Sequence, residues 1–121
     1  MALVIPAAVL IGVIKGCDMV MERILCSFDV RQEVVSPSKT LILVVFEYGC
    51  GVGSGSNTQV SIMPNGKLFS PDSYPSFFRV SGQHQLRIVW QGERLVSITR
   101  PDGVTVYRQD QPQQIRVNYN N

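Results

Sequence analysis

One apolar stretch constrains the fold of this chain more than any other feature. Residues 40–48 read TLILVVFEY, and only Glu47 carries a charge. A strand of this composition has no polar face to offer to solvent, which is typical of a strand that is covered on both sides. We therefore expect residues 40–48 to form a central strand with protein packed against each face.

The rest of the chain, from Ser27 onward, predicts more short strands. Turn signals separate them, among them residues 64–66 (PNG) and 101–103 (PDG). Residues 57–63 alternate, so that Thr58, Val60 and Ile62 share one side. We predict a mainly β fold: a small antiparallel β-meander or sandwich of about seven strands, preceded by an N-terminal apolar helix. Residues 27–121 are expected to form a single antiparallel β domain.

Length and charge exclude several classes of protein. A chain of 121 residues has room for one domain. Its 11 Lys and Arg residues against 9 Asp and Glu residues give a net charge of +2. This excess is too small for the basic footprint of a nucleic-acid-binding protein, so we expect no nucleic-acid partner.

The N-terminus has features that are typical of an export or anchoring signal. Residues 3–14 (LVIPAAVLIGVI) are uncharged; a membrane-spanning helix needs about 20 residues, whereas the core of a signal peptide needs about 7–15. Ile14 and Gly16 before Cys17 resemble a bacterial lipoprotein cleavage site, although Lys15 is unusual between them. Cys17 is therefore the candidate for lipidation.

Three interpretations of this segment stay open. Cleavage could expose Cys17 for lipidation, an uncleaved helix over residues 2–25 could anchor the chain, or a soluble domain could bury an N-terminal helix. We favour the first two, with residues 1–26 as the export signal or anchor helix. The expected location is then a bacterial cell envelope, on the extracytoplasmic face, with the membrane as a partner of the N-terminus.

The chain has three cysteines, Cys17, Cys26 and Cys50. If Cys17 is lipidated, the other two can form a disulfide, which would close a loop of about 25 residues and stabilise the fold by roughly 3.5 kcal/mol. The alternative is a pair of free thiols in a reducing cytosol. With no C-x-x-C motif and only His84 as a histidine, we expect neither a metal site nor a cofactor.

A glycine-rich stretch, residues 49–58 (GCGVGSGSNT), lies between two predicted strands. It lacks the third glycine and following helix of a dinucleotide fingerprint and the lysine of a P-loop. A hairpin loop explains the glycines. The alternative is a loop that contacts a ligand through its backbone, with the candidate residues Gly51, Gly53, Ser54 and Gly55.

Few residues suggest catalysis. His84 could pair with Cys50 or Ser54, but nothing in the spacing supports either pair, so we expect that the chain is not an enzyme. Glu47 interrupts an apolar strand and would be costly to bury alone, so it is expected to pair with an arginine.

Arginines recur along the second half of the chain. They could line one face of a sheet as a polar binding surface, or form solvated cross-strand pairs, which are more common. The residues concerned are Arg79, Arg87, Arg94, Arg100, Arg108 and Arg116.

Several motifs together resemble a group of bacterial envelope proteins of uncharacterised activity. The matching segments are Ser36-Pro37, residues 44–47 (VVFE), Cys50-Gly51 and residues 58–62 (TQVSI), with a looser match from Trp90 to Leu95 and at Ile115, Val117 and Tyr119. The chain differs at Ser38-Lys39, where Asp-Gly is usual, and at residues 52–54. The resemblance implies an extracytoplasmic β domain, with Cys26 as the cysteine that follows the export segment. It implies no activity.

Two functions follow from these features. The first is an envelope-anchored, non-enzymatic β domain with an interaction or structural role and an envelope protein as its partner. The second is a small-ligand or protein-inhibitor module that inserts the glycine-rich loop, residues 49–57.

Overall fold

The computed structural model describes residues 26–50 and 55–121 of the chain, which form eight β-strands and no helix. The strands are β1 (Cys26–Val35), β2 (Leu41–Cys50), β3 (Ser56–Pro64), β4 (Phe78–Ser81), β5 (Arg87–Trp90), β6 (Leu95–Thr99), β7 (Val106–Gln109) and β8 (Arg116–Asn120). The prediction of a mainly β fold is confirmed. The predicted N-terminal helix and the candidate lipidation site Cys17 lie outside the described residues.

The strands form two sheets. The five-stranded sheet has the order β1-β2-β3-β4-β7, and the three-stranded sheet has the order β5-β6-β8. The first four strands are an antiparallel meander, as predicted, but β6 and β8 run parallel. The expectation of a wholly antiparallel domain is therefore wrong. Strand β7 lies between β6 and β8 in the chain but belongs to the five-stranded sheet. The chain therefore crosses to that sheet and back before β8 pairs with β6, and the two strands run in the same direction.

Strand β2 is buried on both faces along half of its length, as the sequence predicted. Its five residues 42–46 are all inaccessible to solvent or nearly so. Leu43 and Val45 face the three-stranded sheet, whereas Val44 and Phe46 face the opposite side. The strand therefore contributes to two separate clusters of apolar side chains.

The larger cluster fills the space between the two sheets, so the domain is a β-sandwich. Its buried members come from both sheets and from the segments beside them: Leu43, Val45, Val60, Ile62, Phe77, Phe78, Val80, Leu86, Val96, Ile98, Ile115 and Val117. The strict alternation in β3 is confirmed, because Thr58, Val60 and Ile62 share the inner face while Gln59, Ser61 and Met63 share the outer one.

The smaller cluster lies on the outer face of the five-stranded sheet. The segment between β3 and β4 folds back over this face and packs Phe69 and Tyr74 against the buried residues of β2 and β3. The Phe46 ring lies 4.9 Å from that of Phe69 and 6.2 Å from that of Phe28, measured between ring centroids. A long loop thus replaces a third layer of secondary structure.

Polar contacts close both sides of the sandwich. Trp90 Nε1 donates to the Val34 carbonyl at 3.0 Å, which joins β5 to the edge strand β1. On the other side, the Gln111 side chain bonds both the N–H and the C=O of Val117. The Tyr119 hydroxyl donates to the Asp110 carbonyl at 2.5 Å, and burial raises the pKa of this phenol above its usual value. Each sheet edge is therefore tied to the other sheet.

The turn between β1 and β2 holds a residue in the left-handed region. Lys39 has φ of 66°, and its N–H donates to the Ser36 carbonyl at 2.9 Å. Glycine adopts this conformation at lower cost than lysine. Lys39 stands where glycine is usual in the similar envelope proteins, and it adopts the left-handed conformation that glycine favours.

We predict that Leu43→Ala destabilises the domain by about 2–5 kcal/mol, because it leaves a cavity between the sheets. Leu43 has no exposed surface, whereas Leu68 is 92% exposed. The matched variant Leu68→Ala should change the free energy of unfolding by less than about 0.5 kcal/mol. Urea unfolding followed by Trp90 fluorescence measures both, and equal effects would contradict the assignment of the core.

Candidate functional site

A β-bulge in β1 shapes one end of the five-stranded sheet. Val30 lies opposite Phe46 and Gln32 lies opposite Val45, so Arg31 is an extra residue with no partner position on β2. A bulge turns side chains away from their regular directions and bends an edge strand. Here it brings Arg31 to the same side as Asp29 and Glu47.

These three residues form a charged cluster. Asp29 and Glu47 are directly opposite each other on β1 and β2, an arrangement of like charges that is unfavourable by itself. Arg31 Nη2 lies 3.0 Å from Glu47 Oε2 and 3.8 Å from Asp29 Oδ2. The predicted pairing of Glu47 with an arginine is thereby confirmed. The hydrogen bond and the charge of Glu47 raise the pKa of Arg31 above its ordinary value.

Two adjoining clefts flank the Arg31–Glu47 pair. The larger has a volume of about 500 Å³ and the smaller about 280 Å³, and both are lined by Arg31, Glu47 and Gln83. The larger extends toward Ser27, Asp29, Tyr48, Gly49, Gly55 and Ser56, and the smaller toward Gln32, His84 and Gln85. We call this region the tip cleft. Its lining is mainly polar and carries charges of both signs.

The loop between β4 and β5 forms one wall of the tip cleft and is held in place by hydrogen bonds. Thr58 Oγ1 donates to the Gly82 carbonyl at 2.7 Å and accepts from the His84 N–H at 3.1 Å. The Gln32 amide bonds both the N–H and the C=O of Leu86. This wall is therefore fixed relative to β1 and β3, with the half-buried His84 facing the smaller cleft.

The disulfide lies at the same end of the sheet. Cys26 and Cys50 are directly opposite on β1 and β2, and their sulfur atoms are joined at 2.08 Å. The predicted disulfide is confirmed. It occupies the sulfur of Cys50, which removes that thiol from the conceivable pair with His84.

The glycine-rich loop starts next to this disulfide. Gly49 pairs with Ser56 at the last rung between β2 and β3. The candidate ligand-contact residues Gly51, Gly53 and Ser54 lie outside the described residues. Gly55, the fourth candidate, has φ of 72°, and no atom of residues 26–50 or 57–121 lies within 4 Å of the position that a Cβ would take. It lines the larger cleft.

The sequence did not identify Asp29, Arg31 or Gln83 as parts of a site. No sequence signal marks the bulge, because Val34, four residues after Val30, fits a regular alternation as well as Val35 does. The register shows that Val35 shares a face with Val30, and this odd spacing requires one extra residue in the strand. Nor does any sequence signal bring Gln83 to this place, since its position depends on the path of the loop.

The six arginines that could have shared one face are divided between the two sheets. Arg79 and Arg108 lie on the five-stranded sheet, whereas Arg87 and Arg116 lie on the three-stranded sheet. The six arginines therefore do not all share one face, although Arg79 and Arg108 are cross-strand neighbours. The reason is that the chain passes from the five-stranded sheet to the three-stranded sheet after β4. No local pattern in the sequence indicates this change of sheet.

Comparisons of the chain with family models, curated proteins and solved structures yield no match. The resemblance to bacterial envelope proteins stays a prediction. Within residues 26–50 and 55–121, no three His, Cys, Asp or Glu side chains are grouped in a way that could hold a metal ion. The same residues include no helix that is long and apolar enough to cross a membrane.

We predict that the double variant Cys26→Ser/Cys50→Ser lowers the free energy of unfolding by about 3.5 kcal/mol, because the unfolded chain loses a cross-link. A reductant should destabilise the unmodified protein by the same amount. The double variant provides the control, since reductant should leave its stability unchanged. Stability that is the same with and without the disulfide would contradict its role as a staple.

Proposed function

We propose that the chain is an extracytoplasmic interaction domain, anchored to the membrane through its N-terminal segment, that binds a protein partner at the tip cleft. The observation that carries the proposal is the position of the disulfide. It joins β1 and β2 at the base of the glycine-rich loop and beside the charged cluster. Rigid support of this kind lowers the entropy cost of binding.

The disulfide also supports the location. Structural disulfides persist in oxidising compartments such as the periplasm or the cell surface, and they are rare in the cytosol. The apolar segment at residues 3–14 and Cys17 then have a natural role as the export and anchoring signal. The non-enzymatic character of the domain is part of the proposal.

The shape and chemistry of the tip cleft favour a protein partner over a small ligand. Small-molecule sites are mostly enclosed and apolar, with a few polar groups. The tip cleft has a mainly polar lining that includes Arg31, Glu47 and Asp29, and its rim is the backbone around Gly55. Charged groups of both signs suit the polar surface of another protein, and they steer its approach.

The small-ligand or inhibitor module remains the second candidate. The position of Gly55 favours it, because a left-handed glycine without a side chain lets the backbone approach a partner closely. In this case the loop enters a cavity of the target, and the tip cleft only supports the loop.

The location is tested by the intact mass of the protein extracted from the membrane fraction of its own host. We expect loss of residues 1–16, a diacyl and an acyl group on Cys17, and a gain of two hydrogen masses on reduction. A retained helix would leave the chain uncleaved but still in the membrane fraction. An uncleaved chain in the soluble fraction, with no change on reduction, would refute the extracytoplasmic proposal.

The binding surface is tested by photo-crosslinking in intact cells. A photoreactive residue at Gln83, which is exposed and lines both parts of the tip cleft, should capture a protein partner. The same residue at Lys67, which is exposed near the other end of β3, is the matched control and should capture none. Equal capture at both positions, or capture at Lys67 alone, would contradict binding at the tip.

A further inference from the structure

A second polar site lies on the other face of the five-stranded sheet, away from the tip cleft. It is a pocket of about 220 Å³ between β3, β4, β7 and the loop that precedes β4. Its lining consists of Tyr48, Gln59, Pro71, Asp72, Pro75, Ser76, Arg79 and Arg108. We call it the arginine pocket.

The two arginines of this pocket are direct cross-strand neighbours. Arg79 on β4 lies opposite Arg108 on β7. Like charges in this arrangement destabilise a sheet, so the pair requires negative charge nearby. Arg108 has it in part, because its Nε lies 3.6 Å from Asp110 Oδ2 and its Nη1 donates to the Ser76 carbonyl at 3.3 Å.

Arg79 has no such compensation within residues 26–50 and 55–121. Its side chain forms no ion pair there, and its Nε is buried without a hydrogen-bond partner. Asp72, the carboxylate in the lining, makes no ion pair with either guanidinium. A buried donor that lacks an acceptor is unfavourable, and here that donor belongs to a charged group.

The floor of the pocket does not supply the missing acceptor. Gln59 is buried next to Arg79 on β3, and its Oε1 accepts from Ser76 Oγ at 2.7 Å. Its Nε2 donates to Asn57 Oδ1 at 2.7 Å. The Gln59 amide is thus oriented by Ser76 and Asn57, and Arg79 Nε forms no hydrogen bond with it.

From these observations we propose that the arginine pocket binds a small oxyanion, a carboxylate or a phosphate group, between Arg79 and Arg108. A guanidinium offers paired N–H donors that match two oxygens of such a group. Tyr48 also lines the pocket, and a tyrosine hydroxyl can donate to an anion. The bound anion neutralises the arginine pair.

This site is independent of the proposed function. The Arg31–Glu47 pair lies on the inner side of the five-stranded sheet, whereas Gln59 and Arg79 lie on its outer side. Loss of the tip interaction would therefore leave anion binding intact, and loss of anion binding would leave the tip intact.

The test is an NMR titration of the full chain in detergent micelles with sodium phosphate and, separately, with sodium acetate, at constant ionic strength. The Nε–H signal of Arg79 should shift and saturate at millimolar concentrations of one or both anions. Arg79→Gln should weaken binding at least tenfold, as measured on the remaining signals of the pocket. Asp72→Asn should tighten it, because a competing carboxylate is removed.

The matched control is Arg87→Gln. Arg87 is an exposed strand arginine opposite the neutral Thr99, and it should affect binding little. Saturation with phosphate alone would assign the site to a phosphate ester, and tighter binding of acetate would assign it to a peptide or organic carboxylate. A linear shift with both anions, equal shifts at Arg87, or unchanged affinity in Arg79→Gln would overturn the proposal.

Discussion

The burial of β2 on both faces is the constraint on which the rest of the structure depends. Residues 42–46 have no polar side, so both faces of the strand must be covered by other parts of the protein. Within the described part of the chain, a second sheet of three strands covers one side, and a loop with Phe69 and Tyr74 covers the other. The sandwich is therefore asymmetric, with a deep core inside and a thinner aromatic cluster outside.

This asymmetry explains where polar sites can form. The three-stranded sheet is narrower than the five-stranded sheet, so the inner face extends beyond it near the disulfide, where Asp29, Arg31 and Glu47 are found. On the outer face, the aromatic part of the loop, Phe69 and Tyr74, covers β2, and its polar part reaches β7, where Arg108 donates to the Ser76 carbonyl. Both clefts thus occur beside the apolar cover of the central sheet rather than beneath it.

The disulfide and the bulge lie at the same end of the five-stranded sheet and shape it together. The bond between Cys26 and Cys50 closes the start of β1 onto β2, while five residues later the bulge at Arg31 bends the strand and places a positive charge between two carboxylates. An edge strand with free N–H and C=O groups is prone to pair with other chains. The bulge and the contacts of Gln32 and Val34 with the second sheet limit that hazard.

The sequence by itself determined the elements that depend on local pattern. The apolar run predicted a doubly covered strand, the alternation of residues 57–63 predicted both faces of β3, and the cysteine count predicted the disulfide. Side-chain period and turn residues act over a few positions, so they can be read directly. The parallel β6–β8 pair, the bulge at Arg31 and the opposition of Arg79 and Arg108 were decided only by the tertiary structure. The first and the last depend on which sheet each later strand joins, and the bulge depends on the register of β1 against β2. Both are set by the packing of the whole core rather than by neighbouring residues.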